Sequence, residues 1–136
     1  MIAKLLWEIG ASLQMLIGVA HVLGTLYSQL LHPEDKNLIE KMKSTLLNVD
    51  KKATQWNAWI FFNLAFGLCL FMVGLFSCVL AYEDLEIIKG FTVLTLGIVV
   101  CSMLITFFAQ RLAIRKVRTV FVIVTVLYLV SILLNQ

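Results

Sequence analysis

Four polar side chains set within otherwise apolar stretches are the residues whose chemistry could matter here: His21, Asn63, Ser102 and Tyr128. Hydrocarbon penalises an ionisable group, so an imidazole inside a membrane span is a functional hypothesis by default. His21 could ligate haem, relay a proton, or hydrogen-bond a quinone or a lipid headgroup. The structural alternative is a neutral imidazole bonded to Asn63, Tyr128 or a backbone carbonyl, which would hold helices together. Haem is disfavoured, because a bis-histidine site needs a second intramembrane histidine and His32 belongs to a loop. No nucleophile stands with a base, and no carboxylate pair lies in the apolar stretches. Cys69, Cys78 and Cys101 form neither a Cys-x-x-Cys pair nor a zinc spacing, and read as small apolar core or lipid-facing residues. The four polar residues are therefore candidate ligand-binding residues. No catalytic residue, cofactor or metal is expected.

The elements that must position them are four charge-free stretches, residues 9–31, 53–82, 90–110 and 119–136. A bilayer core of about 30 Å takes roughly 20 helical residues to cross. Only helices and closed barrels satisfy their backbone in lipid, and these stretches lack the alternation of a barrel strand. The expected fold is all-α: one integral membrane four-helix bundle over residues 1–136, with spans at about 5–31, 56–82, 87–110 and 117–135. With 61% hydrophobic and 14% charged residues, the chain leaves no room for a soluble domain beside the spans. A net charge of +3 is too small and too localised to suggest nucleic acid. The first apolar run lacks a small-residue cleavage pattern, so it is expected to be retained as a span.

Charge supplies orientation. Nine of the eleven Lys and Arg residues lie in the first and third loops, at Lys36, Lys41, Lys43, Lys51, Lys52, Arg111, Arg115, Lys116 and Arg118. Only Lys4 and Lys89 lie on the other side, beside Glu8, Glu83, Asp84 and Glu86. The positive-inside rule then places loops one and three in the cytoplasm and both termini outside. Within the first loop, residues from about 33 to 50 read as an amphipathic helix. Pro33 suits its first turn, with Glu34 and Asp35 complementing the N-terminal dipole. Leu38, Ile39, Met42, Leu46 and Val49 share one face, so this helix lies either in the headgroup region or under the bundle as a connector. Trp56, Trp59, Tyr27 and Tyr82 read as interfacial anchors.

A helical wheel gathers the small and polar residues of each span onto one side. These are Gly10, Gln14, Gly18, His21, Thr25 and Ser28 in the first span, and Asn63, Gly67, Gly74, Ser77 and Cys78 in the second. The third contributes Thr92, Thr95, Ser102, Thr106 and Gln110, and the fourth Thr125, Tyr128, Ser131 and Asn135. Helices in lipid associate through such faces, so these stripes are expected inward. Depth sharpens the pattern. His21 lies about 15 Å from the end of its span at 1.5 Å per residue, and Asn63, Ser102 and Tyr128 fall in the same slab. All four also sit on inward faces.

In the first half of the chain, Gly18-Val19-Ala20-His21-Val22-Leu23-Gly24 precedes Pro33, a loop helix around Met42, Trp56 and Phe66-Gly67. This order resembles a family of small bacterial four-span membrane proteins of unassigned activity. The resemblance implies four helices in a bacterial inner membrane and no particular reaction. Two other four-span families do not fit. Asn63 has Trp59 four residues before it and Phe66 three after it, unlike the Arg-x-x-x-Asn-x-x-Glu pattern of the membrane glutathione and eicosanoid enzymes. Vitamin K epoxide reductase relatives need a Cys-x-x-Cys. The leading expectation is a non-enzymatic accessory subunit or helix-packing partner, with membrane lipids and proteins in the membrane plane as partners. Outward aromatics such as Phe61, Phe62 and Phe71 favour it. The alternative is an intramembrane site or enzyme for an isoprenoid, quinone or lipid around His21. An oligomeric channel or transporter is least favoured, since broken helices, inverted repeats and charged rings are missing.

Overall fold

The computed structural model describes residues 2–83 and 93–134. Four of its helices are long and apolar enough to cross a membrane: α1 (Ile2–Tyr27), α3 (Gln55–Glu83), α4 (Val93–Arg111) and α5 (Arg115–Leu133). A short α2 (Lys36–Ser44) lies between α1 and α3. The chain is thus an all-helical membrane protein. Its exposed surface supports that reading, with Leu16, Phe61, Phe62, Phe107 and Leu133 all at least 60% exposed. At about 1.5 Å per residue, α4 and α5 reach about 28 Å, just enough for the hydrocarbon core. The expected beginning of the third span, together with Thr92 and Asn135, lies outside the described residues.

Two compact units are distinguished, Met1–Met15 with Met72–Gln136, and Leu16–Phe71. The first unit joins segments of all four long helices. Trp7, Phe121 and Tyr128 are fully buried in it, with Ala11 and Val124. A Cβ added at Gly74 would stand 2.7 Å from the Ala11 carbonyl oxygen and 2.8 Å from the Met15 nitrogen, so α1 and α3 meet there backbone to backbone. The turn from α4 to α5 is a Schellman motif, with Ile114 N–H donating to the Ala109 carbonyl and Ala113 N–H to that of Gln110. Its left-handed position, φ 58°, is held by Ala113 where glycine is usual, at a cost of about 1 kcal/mol. Arg118 Nη1 donates to Gln110 Oε1 at 2.6 Å across the same turn.

The second unit holds the end of α1, the first loop and the beginning of α3. Gly18 and Gly67 bring the two helices together: a Cβ at Gly18 would lie 2.5 Å from Phe71 N and 2.6 Å from the Gly67 carbonyl oxygen. Within this unit the small residues Gly18 and Thr25 on α1 stand seven positions apart. That is the period of a left-handed helix pair, with small side chains permitting close approach.

Three boundaries differ from the sequence expectation. First, α1 runs from Ile2 to Tyr27, not from about 5 to 31. Beyond Tyr27 the Ser28 hydroxyl donates to the Gly24 carbonyl and accepts from Leu30 N–H, and His32 N–H closes a turn onto Gln29. Ser28 is consequently exposed and leaves the inward stripe. Second, α2 begins after Pro33: Asp35 is the N-cap and accepts from Asn37 N–H at 2.9 Å. Third, α2 stops at Ser44, because Thr45 takes an extended conformation and Leu46 bridges Thr54. Leu46, in that bridge, and Val49, 93% exposed at the turn it creates, both lie beyond α2, so neither belongs to its apolar face.

Candidate functional site

Nearly all of the described stripe residues that were expected inward are buried or half-buried. Gln14, Thr25, Ser77, Thr95, Ser102, Thr125 and Ser131 make up the buried polar side chains among the described residues. The exceptions are Ser28 and Gln110, exposed at the ends of their helices, the latter bonded to Arg118. Phe71, expected outward, is half-buried, because its backbone lies against Gly18.

In the second unit, His21 Nε2 lies 3.1 Å from Asn63 Oδ1. The proton on this bond can be assigned. Asn63 Nδ2 donates to the Trp59 carbonyl at 2.7 Å, which turns Oδ1 toward the ring. An amide oxygen only accepts, so His21 Nε2 carries the hydrogen and a neutral ring leaves Nδ1 as an acceptor. Phe66 stands edge-on to the imidazole at 5.1 Å. No partner for Nδ1 is found among the described residues.

Ser102 and Tyr128 belong to the first unit and are bonded within it. The Ser102 hydroxyl donates to the Val99 carbonyl at 2.8 Å and stands 3.1 Å from Thr125 Oγ1, whose one hydrogen is shared between Ser102 and the Phe121 carbonyl at 2.7 Å. Tyr128 Oη donates to Gln14 Oε1 at 3.0 Å. Its ring tilts against Trp7 at 4.6 Å, and Trp7 Nε1 donates to the Ser77 carbonyl at 3.0 Å. Ser131 adds a bond from Oγ to the Ala3 carbonyl at 2.7 Å. Here sequence reasoning missed Trp7. Lys4 and Glu8 flank it, so it fell outside the first charge-free stretch. They bridge each other at 3.8 Å, one helical turn apart and part-exposed, while Trp7 turns into the core. Its spacing from Gln14, seven residues along one helical face, was the available signal.

A second arrangement in the Leu16–Phe71 unit was also unforeseen. His32 folds back so that Nε2 donates to the Thr25 carbonyl at 3.3 Å, covering one of the free carbonyls at the end of α1. Its ring meets Trp56 and Trp59 edge-on, at 5.2 and 5.5 Å, while the two indoles stack at 5.1 Å. Lys43 Nζ stands 5.5 Å over Trp56. The two tryptophans, read as independent anchors, are thus one wall tied to the helix end by His32.

Among the described residues no three His, Cys, Asp or Glu side chains gather closely enough to hold a metal ion. Comparison with known proteins finds no matching family model, no similar curated protein and no similar solved structure.

Proposed function

We propose that this chain is a small polytopic membrane protein that works through helix packing, as an accessory subunit of a larger membrane assembly. One observation carries the reading: the buried hydroxyl and amide groups of Gln14, Ser102, Tyr128 and Ser131 are engaged in hydrogen bonds between helices, while Ser77 and Ser102 also donate within their own helices. Such bonds fix a rigid scaffold whose remaining surface is apolar. The paired exposed rings Phe61–Phe62 and Phe107–Phe108 give that surface bulky features for a neighbouring helix. The resemblance to small bacterial four-span proteins supports an inner-membrane location. Charge supports loops one and three in the cytoplasm with both termini outside. Arg115 and Lys116 open α5, where the helix dipole disfavours cations, and a cytoplasmic position for this loop is a reason for them that helix folding does not supply. Extracted in a mild detergent, the tagged chain should run on a native gel with partner proteins, well above the size of a 15.4 kDa protein in its micelle. A lone monomer would overturn the proposal.

A second reading, an intramembrane site for an isoprenoid, quinone or lipid at His21, is favoured by the Nδ1 of the half-buried ring, which has no partner among the described residues.

A further inference from the structure

The Leu16–Phe71 unit holds a cavity of about 810 Å³ beside the end of α1, bounded by His32, Trp56 and α2. Its size falls within the range of small-molecule sites, about 300–1,000 Å³. Four charged side chains line it: Lys36 and Lys43, and Glu34 and Glu40. All four are exposed, and among the described residues none forms an ion pair, the one such pair being Lys4–Glu8. The charges balance two against two. The apolar Leu30, 82% exposed, and the half-buried Ile39 complete the rim.

We propose that this cavity binds the zwitterionic headgroup of an ethanolamine phospholipid, with its phosphodiester toward Lys36 and Lys43 and its primary ammonium toward Glu34 and Glu40. The alternatives fit less well for stated reasons. An anionic headgroup would meet the two lysines but also two carboxylates, an unfavourable like-charge contact. A quaternary ammonium donates no hydrogen bonds and is recognised by aromatic faces. The Trp56 indole already carries Trp59 stacked against it and Lys43 over it. A primary ammonium donates three hydrogen bonds, which carboxylates accept. The ligand is a lipid and not a free phosphate ester because the site adjoins an apolar spanning helix. Tyr27, at the end of α1, and Leu30 are more than 80% exposed and provide the surface an acyl chain would follow. The tryptophan pair is the residue type that settles at headgroup level. The His32 bond to the Thr25 carbonyl holds the aromatic wall in place before any lipid arrives.

Native mass spectrometry of the full chain, released from bilayers of equal phosphatidylethanolamine, phosphatidylglycerol and phosphatidylcholine, tests this. The ethanolamine lipid should exceed each of the others by about fivefold among retained lipids, the preference that one or two exposed ion pairs provide. Glu34→Gln with Glu40→Gln should turn the preference toward phosphatidylglycerol. Lys36→Gln, which leaves the Lys43–Trp56 contact intact, should reduce retention of all three phospholipids relative to wild type. Because these side chains are exposed, helix content by circular dichroism should match wild type in every variant. Equal or greater retention of phosphatidylglycerol by the wild-type chain would overturn the proposal, as would a double variant with unchanged preference. Displacement of the lipid by equimolar soluble phosphoethanolamine would show a site for a free phosphate ester instead.

Discussion

Trp7, Phe121 and Tyr128 are fully buried in the unit formed by Met1–Met15 and Met72–Gln136, whereas the Leu16–Phe71 unit fully buries no side chain larger than Thr25 among the described residues. The first is held by large side chains and bonds such as Tyr128–Gln14 and Ser131–Ala3. The second is held by backbone contact at Gly18 and Gly67, with the His21–Asn63 bond only part-buried. Within a bilayer, bringing helices together gains no hydrophobic energy, so packing and hydrogen bonds decide stability. A unit made by interlocking side chains therefore loses most when a side chain is shortened. A unit made by backbone contact loses most when one is lengthened.

The largest effect expected from this contrast is at Trp7. Shortening it empties its place in the core, removes the tilted contact with Tyr128 and abolishes the bond to Ser77. In soluble cores Trp→Ala costs 3–5 kcal/mol, and in lipid the transfer part is missing, which leaves a loss near the lower end, about 3 kcal/mol. Denaturation in mixed micelles measures it. A loss no greater than that of an exposed Leu16→Ala control would mean that Trp7 does not organise this unit.

Smaller, and opposite in kind, is the effect of adding one methyl group. Gly18→Ala places a Cβ against the backbone of Gly67 and Phe71, which cannot swing aside as a side chain would. Overpacking of this sort costs about 1–3 kcal/mol. Gly97 on α4 is the control, since a Cβ there meets nothing within 4 Å. Gly97→Ala should be neutral or stabilising by up to about 1 kcal/mol through helix propensity. Equal tolerance at both positions in the same denaturation assay would show that α1 and α3 are not in backbone contact at Gly18.

How much of this was legible in the sequence follows from which forces dominate. The spans were legible because lipid excludes charge, and the inward faces because a polar group in hydrocarbon must find a partner. Gln14, Ser77, Ser102 and Ser131 all follow from that rule. Trp7 was not legible, because the neighbouring Lys4 and Glu8 masked a face that turns away from them. The ends of α1 and α2 were set by local bonds at Ser28, Asp35 and Thr45, whose strength hydropathy does not register. Depth grouped His21, Asn63, Ser102 and Tyr128, but partners depend on helical register. His21 is bonded to Asn63, while Ser102 and Tyr128 are bonded to Thr125 and Gln14. The cavity beside His32 depends on a loop folding back onto its own helix, which no periodicity encodes.

The smallest effect is also the one that separates a structural histidine from a ligand site. If the His21–Asn63 bond joins α1 to α3, each alanine substitution should lower stability by an amount typical of interhelical hydrogen bonds in membranes, averaging about 0.6 kcal/mol and reaching at most about 1.7. The double variant should cost less than the sum, because the second substitution has no bond left to break. Asn63→Ala carries an additional loss, since Asn63 also donates to the Trp59 carbonyl. His21→Gln offers a further discrimination. A glutamine can still donate to Asn63 Oδ1, and should restore part of the stability that alanine loses, but it does not reproduce the Nδ1 acceptor. A ligand held at that nitrogen would be lost from both variants, while stability separates them. Strict additivity of His21→Ala and Asn63→Ala would mean that the two side chains do not interact, and the α1–α3 contact of the second unit would then rest on its glycines alone.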